Sequence, residues 1–106
     1  MMGETRGGYV IVWEFRPRPG AEARFEEAYG ADGVWAKLFR QAEGFWGTEL
    51  VRDERDQHRF LTMDCWESRQ AYEAFRAAHQ SEYEVLDAEC EELTESEKEI
   101  GKLERL

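Results

Sequence analysis

Hydrophobic and polar positions alternate along four stretches of the chain, and this period of two predicts four strands. Residues 9–15, 45–52 and 60–66 alternate clearly and are rich in β-branched and aromatic side chains, whereas residues 100–106 alternate more weakly. The charged segment 53–57 separates the second strand from the third and has the composition of a turn. We therefore predict that these two strands form an antiparallel hairpin.

Apolar positions recur every three to four residues in the segments between the strands, which predicts helices. The proline-containing segment 16–20 ends the first strand, and a helix is expected from Ala21. Residues 30–33 include two glycines that interrupt this helix before a second piece over residues 34–40. Ser68 follows the third strand and is a good N-cap, so that strand is predicted to lead directly into a helix.

Two further segments have the sequence of a capping box, in which Ser or Thr is followed three residues later by Glu. Ser81 with Glu84 predicts that a new helical segment begins at Ser81. Thr94 with Glu97 predicts a short helical turn at Thr94, after which the fourth strand is expected to begin at Ile100.

The predicted order of elements is β-α-β-β-α-β. This is the order of the ferredoxin-like fold, an α+β fold in which an antiparallel sheet has both helices on one face. Apolar residues nevertheless occupy both faces of the sheet, because Val10 and Val12 lie opposite Tyr9, Ile11 and Trp13. A sheet that is apolar on both sides but has helices on only one needs a partner for its other face. We therefore predict a symmetric homodimer with packed sheets.

A chain of 106 residues has room for one compact domain. Residues 1–8 are polar and glycine-rich and are predicted to be a disordered leader, so the domain is expected to cover residues 9–106. The leader lacks the apolar centre of a signal peptide, and no run reaches the roughly 18 apolar residues of a membrane span. These features predict a cytoplasmic protein.

The charge of the chain is strongly acidic. It has 14 basic and 24 acidic residues, a formal net charge of −10, and the acidic excess is concentrated after Ser81. A negative surface repels phosphate groups, so nucleic acids and anionic membranes are poor candidate partners. Cys65 and Cys90 lack the CxxC spacing of redox or metal sites and are predicted to be buried, reduced thiols.

Three short motifs stand where the predicted strands begin or end. They are Val-Trp-Glu-Phe at 12–15 followed by Pro19 and Gly20, Glu-Gly-Phe at 43–45, and Trp-Glu-Ser at 66–68 followed by Ala71, Tyr72 and Phe75. Together they resemble the antibiotic biosynthesis monooxygenase-like domains of the dimeric α+β barrel superfamily, over about nine-tenths of the chain. The resemblance implies a barrel dimer with a pocket in each subunit between the sheet and the helices.

The resembled family has members of several functions. Some oxygenate electron-rich phenols or hydroquinones without metal or flavin, others degrade haem, and several only bind a ligand. The haem-degrading members use an Asn on the first strand, a Trp in the second helix and a downstream His. In this chain residues 9–15 contain no Asn, Phe75 stands at the Trp position and Val85 near the His position. The resemblance therefore excludes haem degradation.

In the quinone-forming members, a Trp at the end of the third strand and a Tyr at the start of the next helix lie in the pocket. Trp66 and Tyr72 are similar to this pair. The Asn and the Arg of those members have no match, since Thr62 and Leu86 are the nearby residues. The resemblance thus implies the Trp and the Tyr of the quinone-forming site but not its Asn and Arg.

Cofactor-free oxygenation needs a substrate that becomes an electron-rich anion, a group that takes its proton and a dry pocket. The predicted catalytic residues are His79, which lies one turn beyond Phe75 on a similar helical face, and Tyr72, which would hydrogen-bond a phenolate. The predicted substrate-binding residues are aromatic: Trp66, Trp13, Trp35, Phe39 and Phe75. Each aromatic side chain equally fits a core position, and His79 also fits a helix C-terminus.

Two further positions fit other roles. His79 and Glu82 have the i, i+3 spacing that places two ligands on one metal ion, but two more ligands would have to converge from elsewhere. We therefore predict no metal site and no cofactor. Asp64 lies in an apolar strand and is either a buried acid or a partner of Arg59 or Arg69.

Two functional hypotheses follow. The first is a cofactor-independent monooxygenase that acts on a small electron-rich aromatic, of phenol or hydroquinone type, in a pocket between sheet and helices. The alternative is a non-catalytic small-molecule binding or stress-response domain of the same fold. His79 beside the aromatic residues favours the enzyme, whereas the unmatched Asn and Arg favour the binding domain.

Overall fold

The computed structural model describes residues 8–106, which form a four-stranded sheet and four α-helices. In chain order the elements are β1 (Tyr9–Pro17), α1 (Glu22–Tyr29), α2 (Val34–Phe39), β2 (Phe45–Arg52), β3 (Phe60–Trp66), α3 (Arg69–Ala78), α4 (Gln80–Cys90), a short 3-10 helix (Glu91–Leu93) and β4 (Thr94–Glu104). The strand order across the antiparallel sheet is β2-β3-β1-β4. The predicted α+β, ferredoxin-like fold is confirmed. Of the predicted leader only Gly8 is described, and residues 1–7 lie outside the described residues.

β2 and β3 form the predicted antiparallel hairpin, in which Thr48 is paired with Asp64. The register shifts between Phe45 and Gly47, and Gly47 has φ of 146°, a value that residues with a side chain rarely adopt. β1 lies between β3 and β4, so both of its edges are hydrogen-bonded. The alternation along the strands therefore directs one set of side chains from each strand toward the helices.

These helix-facing side chains pack with the apolar faces of the helices into an aromatic core. Phe25 of α1 and Trp66 of β3 are completely buried. The Phe25 ring centroid lies 5.6 Å from that of Phe15 and 5.1 Å from that of Phe60, while Trp66 lies 5.5 Å from Phe39 of α2. Aromatic pairs at such distances add to the stabilisation that comes from buried apolar area. The core thus fixes α1 and α2 to the sheet.

The junction between β3 and α3 is formed as predicted. Ser68 caps α3, since its Oγ accepts a hydrogen bond from the Ala71 amide at 3.0 Å. The Glu67 amide donates to the Gly44 carbonyl at 2.7 Å, which ties the segment before β2 to the same turn. A Cβ atom at position 44 would lie 2.4 Å from the Cβ of Ala71. Glycine is needed at position 44 because the two segments approach so closely.

The start of α4 differs from the prediction. α3 ends at Ala78, and His79 is both its C-cap and the N-cap of α4. Ser81 therefore lies inside the first turn of α4, and no side-chain hydrogen bond caps that helix. The predicted new helical segment is present and begins one residue before Ser81, but Ser81 does not cap it, because the Tyr83 amide donates to the His79 carbonyl at 2.9 Å. Within residues 8–106, no helix is long and apolar enough to span a membrane.

β4 also begins earlier than predicted. It starts at Thr94 rather than Ile100, and the short 3-10 helix Glu91–Leu93 precedes it. Thr94 is paired with Pro17 of β1, and the Arg18 amide donates to the Leu93 carbonyl at 3.0 Å. Pairing with a neighbouring strand has thus replaced the local turn that the Thr94 capping box predicted.

The sheet face away from the helices is apolar at its centre. Val10 and Val12 of β1 lie on this face, paired with Leu103 of β4 and with Met63 of β3 respectively. Val10, Val12 and Met63 are half-buried, and Leu103 is 54% exposed. None of the helices in the described part of the chain covers this face. The apolar surface that motivates the predicted homodimer is therefore present in the single chain.

Candidate functional site

A cavity of about 270 Å³ lies between the helix-facing side of the sheet and the four α-helices. Its aromatic walls are Trp13, Phe15, Tyr29, Trp35, Phe39 and Tyr83. Its polar lining consists of Thr48, Thr62, Asp64, Arg76, Asp87 and Glu97. A mostly apolar cavity with a few converging polar groups is typical of small-molecule sites.

Strand pairing brings the polar side chains of the sheet together. Thr48 of β2 is paired with Asp64 of β3, and Thr62 of β3 is paired with Trp13 of β1. Thr62 and Asp64 share one face because side chains two residues apart point to the same side of a strand. Thr48, Thr62 and Asp64 are all buried. β2 and β3 therefore present two hydroxyl groups and one carboxyl group to the cavity.

Asp64 is a carboxyl group held away from water, with only 9% of the residue exposed. Its Oδ1 accepts a hydrogen bond from Thr48 Oγ1 at 2.8 Å, and Oδ2 accepts none from the described side chains. Burial raises the pKa of Asp64 to about 6, although the hydrogen bond from Thr48 acts in the opposite direction. Near neutral pH this group can take up a proton from a bound ligand.

Asp64 is thus the buried acid of the two alternatives left open by the sequence. The expected pairing with Arg59 or Arg69 does not occur, since Arg59 binds Glu14 and Asp53 and Arg69 binds Glu73 on its own helix. The partner of Asp64 is the neutral hydroxyl of Thr48, which leaves the charge of the carboxylate uncompensated.

Arg76 of α3 is the one cationic side chain that lines the cavity in the described part of the chain. It donates a hydrogen bond from Nη1 to the Tyr72 hydroxyl at 2.8 Å. The centre of its guanidinium lies 3.8 Å from the ring centroid of Tyr83, a cation–π contact. Burial raises the pKa of Tyr83 to about 12, so its hydroxyl stays protonated at neutral pH. Tyr72 and Tyr83 together fix the position of the positive charge.

Two further carboxyl groups line the cavity from the side of the last helix and strand. Asp87 belongs to α4 and Glu97 to β4. Burial raises the pKa of Glu97, and the charges of Asp87 and Glu91 raise it further. With Asp64, the cavity lining therefore contains three carboxyl groups and the guanidinium of Arg76.

The sequence model of the antibiotic biosynthesis monooxygenase family matches residues 8–83. The chain belongs to this family. A protein from Bordetella bronchiseptica is 24% identical, with a TM-score of 0.66 over 95% of this chain and 99% of that one. SnoaB, a cofactor-independent oxygenase from Streptomyces nogalater, is 21% identical, with a TM-score of 0.63 over 91% of this chain and 90% of that one. At these identities the two structures show a shared fold. No curated protein matches the chain.

The structure of this antibiotic biosynthesis monooxygenase-family chain brings together three of the five aromatic residues predicted to bind substrate. Trp13, Trp35 and Phe39 line the cavity. Trp66 and Phe75 are 0% and 2% exposed and lie outside the lining, where their rings contact Phe39 at centroid distances of 5.5 and 5.4 Å. They support the cavity wall from the core.

The two predicted catalytic residues also lie outside the cavity lining. The His79 ring stacks on Phe75 with a centroid distance of 5.1 Å, and its Nδ1 binds Glu82. Tyr72 contacts Trp66 and Tyr9, and its hydroxyl holds Arg76. Tyr72 is therefore connected to the cavity through Arg76, whereas His79 contacts Phe75, which does not line the cavity either.

Several cavity residues were missed by reasoning from the sequence, above all Arg76, Tyr83 and Thr48. The sequence did carry one signal of a polar cavity lining. Thr62 and Asp64 are polar residues at helix-facing positions of β3, a strand that is otherwise apolar on that face. Leu86, the residue near the family's Arg position, packs against the core. Arg76, from a different helix, is the cationic residue of the described cavity lining.

The pair with metal-ligand spacing, His79 and Glu82, lies outside the cavity lining. Residues 8–106 contain no group of three or more His, Cys, Asp or Glu side chains arranged to hold a metal ion. His79 and Glu82, the pair with suitable spacing, bind each other.

Proposed function

We propose that the chain is a monooxygenase that oxygenates a small electron-rich aromatic, of phenol or hydroquinone type, in this cavity without metal or flavin. The observation that carries the proposal is the buried Asp64 carboxyl, with its pKa raised to about 6, in the lining of an aromatic cavity. Membership of the family and the fold shared with SnoaB, a cofactor-independent oxygenase, support the reaction class. A volume of about 270 Å³ favours a small substrate.

The first step is removal of the proton from the substrate hydroxyl. Asp64 accepts this proton, because its carboxylate is unpaired by any cation among the described residues and its pKa lies near neutrality. Arg76 stabilises the resulting phenolate with its positive charge in a partly dry site. Trp13, Trp35 and Phe39 hold the aromatic ring and exclude water.

The second step is reaction with dioxygen. The phenolate transfers electrons to dioxygen, and one oxygen atom bonds to a ring carbon as a peroxide. Loss of the hydrogen on that carbon as a proton then breaks the O–O bond and leaves a quinone. The other oxygen atom leaves as water with the two protons from the substrate O–H and C–H. The substrate loses four electrons and dioxygen gains four, so no external reductant is required.

Asp64 and His79 are alternative proton acceptors, and substitution distinguishes them. We expect Asp64→Asn to lower kcat/KM at neutral pH by about 100-fold or more, because an amide cannot take the proton. His79→Ala is expected to stay within about twofold of the unchanged protein, since His79 does not line the cavity. The measurement is quinone formation, with matching oxygen consumption, from a panel of phenols and naphthols that have a free ring position.

The pH dependence gives a second signature of Asp64. We expect kcat/KM to rise through about pH 6 as this group loses its proton, and the Asp64→Asn variant to lack the rise. A profile that is unchanged in Asp64→Asn but lost in His79→Ala would identify His79 as the acceptor. If no substrate yields quinone above background, the enzyme proposal is wrong.

A second candidate is a binding domain without catalysis. It is favoured by Thr62 and Leu86, which stand near the positions where the quinone-forming members have Asn and Arg. A binding domain would take up the aromatic ligand without consuming oxygen. Oxygen consumption measured beside ligand binding therefore decides between the two candidates.

We also propose that the chain acts as a cytoplasmic homodimer through the sheet face away from the helices. The half-buried Val10, Val12 and Met63 on that face support this, because a contiguous apolar patch favours association. A two-fold interface would place the same strands of both subunits against each other.

A further inference from the structure

The charges around the cavity are unequal. Asp64, Asp87 and Glu97 line it together with one cation among the described residues, Arg76. The guanidinium of Arg76 already has two neighbours, the Tyr83 ring at 3.8 Å and the Tyr72 hydroxyl at 2.8 Å. The carboxyl groups therefore outnumber the available positive charge.

Asp64 itself has room for a donor. The residue is nine-tenths buried, Thr48 satisfies only its Oδ1, and Oδ2 receives no hydrogen bond from the side chains that the structure describes. Oδ2 keeps some solvent access, and a donor bound there would replace the hydration that burial of the residue has reduced. A ligand with an O–H or N–H group would supply the missing hydrogen bond.

The cavity walls are also suited to positive charge. Trp13, Trp35 and Phe39 contribute aromatic rings, and ring faces attract cations through their quadrupoles. The net charge of −10 on the whole chain further raises the local concentration of cationic ligands. Among the described residues no metal-binding cluster competes for this role.

We propose that the cavity selects an aromatic ligand that carries a protonated amine. The ring packs against the aromatic walls and its hydroxyl group meets Asp64. The ammonium group is held by Asp87 and Glu97, which belong to α4 and β4 and line the same cavity. This inference rests on the proposed function only in using the same cavity, and it adds the charge of the substrate.

The test compares three catechols that differ in the charge of the side chain. Dopamine carries an ammonium group, propylcatechol is neutral and nearly isosteric, and dihydroxyphenylacetate carries a carboxylate. Dissociation constants are measured by quenching of tryptophan fluorescence under argon, so that no turnover occurs. We expect dopamine to bind about tenfold or more tightly than propylcatechol, because charge-assisted hydrogen bonds exceed neutral ones in strength. Dihydroxyphenylacetate is expected to bind most weakly.

Substitutions identify the carboxyl groups that cause the preference for dopamine. Asp87→Asn and Glu97→Gln should each weaken dopamine binding about three- to tenfold and leave propylcatechol unchanged. Glu89→Gln is the matched control, because Glu89 is, like Asp87, an exposed acid of α4 but lies outside this cavity. If Glu89→Gln weakens dopamine binding as much as Asp87→Asn does, the preference comes from the overall charge and the inference is wrong.

Two other results would overturn the inference: equal affinity for dopamine and propylcatechol, or no binding of any probe. Its failure is distinguishable from failure of the proposed function. Preferred binding of dopamine under argon, with no quinone formed from any substrate in air, would support the inference and refute the oxygenase. Oxygenation of neutral phenols without a preference for dopamine would do the reverse.

Discussion

Asp64 shows how burial of one carboxyl group lowers the stability of the fold as the pH rises. Its carboxyl group is enclosed between sheet and helices with a single neutral donor, Thr48. Burial raises its pKa from 3.8 to about 6, so the folded protein binds a proton more tightly than the unfolded chain does. The contribution of this group to folding is therefore fully present below about pH 4 and is lost as the pH rises through 6.

We predict that Asp64→Asn is more stable than the unchanged protein at neutral and alkaline pH. The shift corresponds to about 3 kcal/mol when the carboxyl is fully ionised. An amide keeps an acceptor for Thr48 without a buried charge. The advantage of the variant should grow by roughly 1.5 kcal/mol between pH 5 and pH 8 in urea unfolding. Asp32→Asn, which removes an exposed carboxyl of 89% relative exposure, controls for the loss of charge. A pH-independent advantage would contradict the prediction.

The partners of a single residue were the least predictable part of the site. Asp64 could be predicted as a buried acid. Its partner Thr48 could not be predicted, because it belongs to the neighbouring strand, and the spacing of residues along one strand does not specify which residue lies opposite. Arg76 was missed because a cation on an amphipathic helix ordinarily faces water, and only the rings of Tyr72 and Tyr83 fix it over the cavity. His79 does stack on Phe75, as its spacing predicts, but Phe75 is buried in the core and does not line the cavity.

Element boundaries followed the sequence wherever one signal acted alone. The three clear strands and the start of α3 were predicted correctly, because alternation and the Ser68 cap depend on neighbouring residues only. The Ser81 capping box located the new helix to within one residue but forms no cap, and the Thr94 turn does not form, because other contacts compete with both. α4 already begins at Gln80, and β1 pairs with Thr94. A capping motif therefore predicts the boundary of an element only where no hydrogen bond to another segment competes with it.

The two serines offer a matched test of this difference. Ser68→Ala removes the hydrogen bond to the Ala71 amide and is expected to lower the free energy of unfolding by about 1 kcal/mol. Ser81→Ala removes no capping hydrogen bond and is expected to stay within about 0.5 kcal/mol, since alanine favours a helix interior. Urea denaturation at a fixed pH measures both. An equal loss in the two variants would indicate that Ser81 does cap α4.

The whole molecule is a sheet with one face covered by helices and the other apolar and open. Alternation alone predicted this arrangement, because it assigns Val10 and Val12 to the opposite face from Ile11. The sequence did not show which of the two sets of strand side chains would face the helices and line the cavity. Packing decides it, because the cavity lies on the helix-facing side, where large rings meet and do not fill the space completely.

The proposed dimer predicts a specific response to charge. We expect light scattering at micromolar concentration to give twice the mass of one chain. Val12→Glu should shift it to the monomer, because two such carboxylates would be buried and near each other across the two-fold axis. Val85→Glu, at a 59% exposed position of α4, is the control and should remain dimeric. A monomeric mass for the unchanged protein would refute the dimer.

The close approach of Gly44 to Ala71 has a consequence for how sequences of this fold diverge. The main chain at position 44 is held to the β3–α3 turn by the Glu67 amide, and no space is left for a second methyl group there. A descendant chain that gains a side chain at position 44 must therefore lose the one at position 71, or give up the hydrogen bond. Among related sequences, a larger residue at position 44 should therefore occur with a smaller residue at position 71, although neither position contacts the cavity.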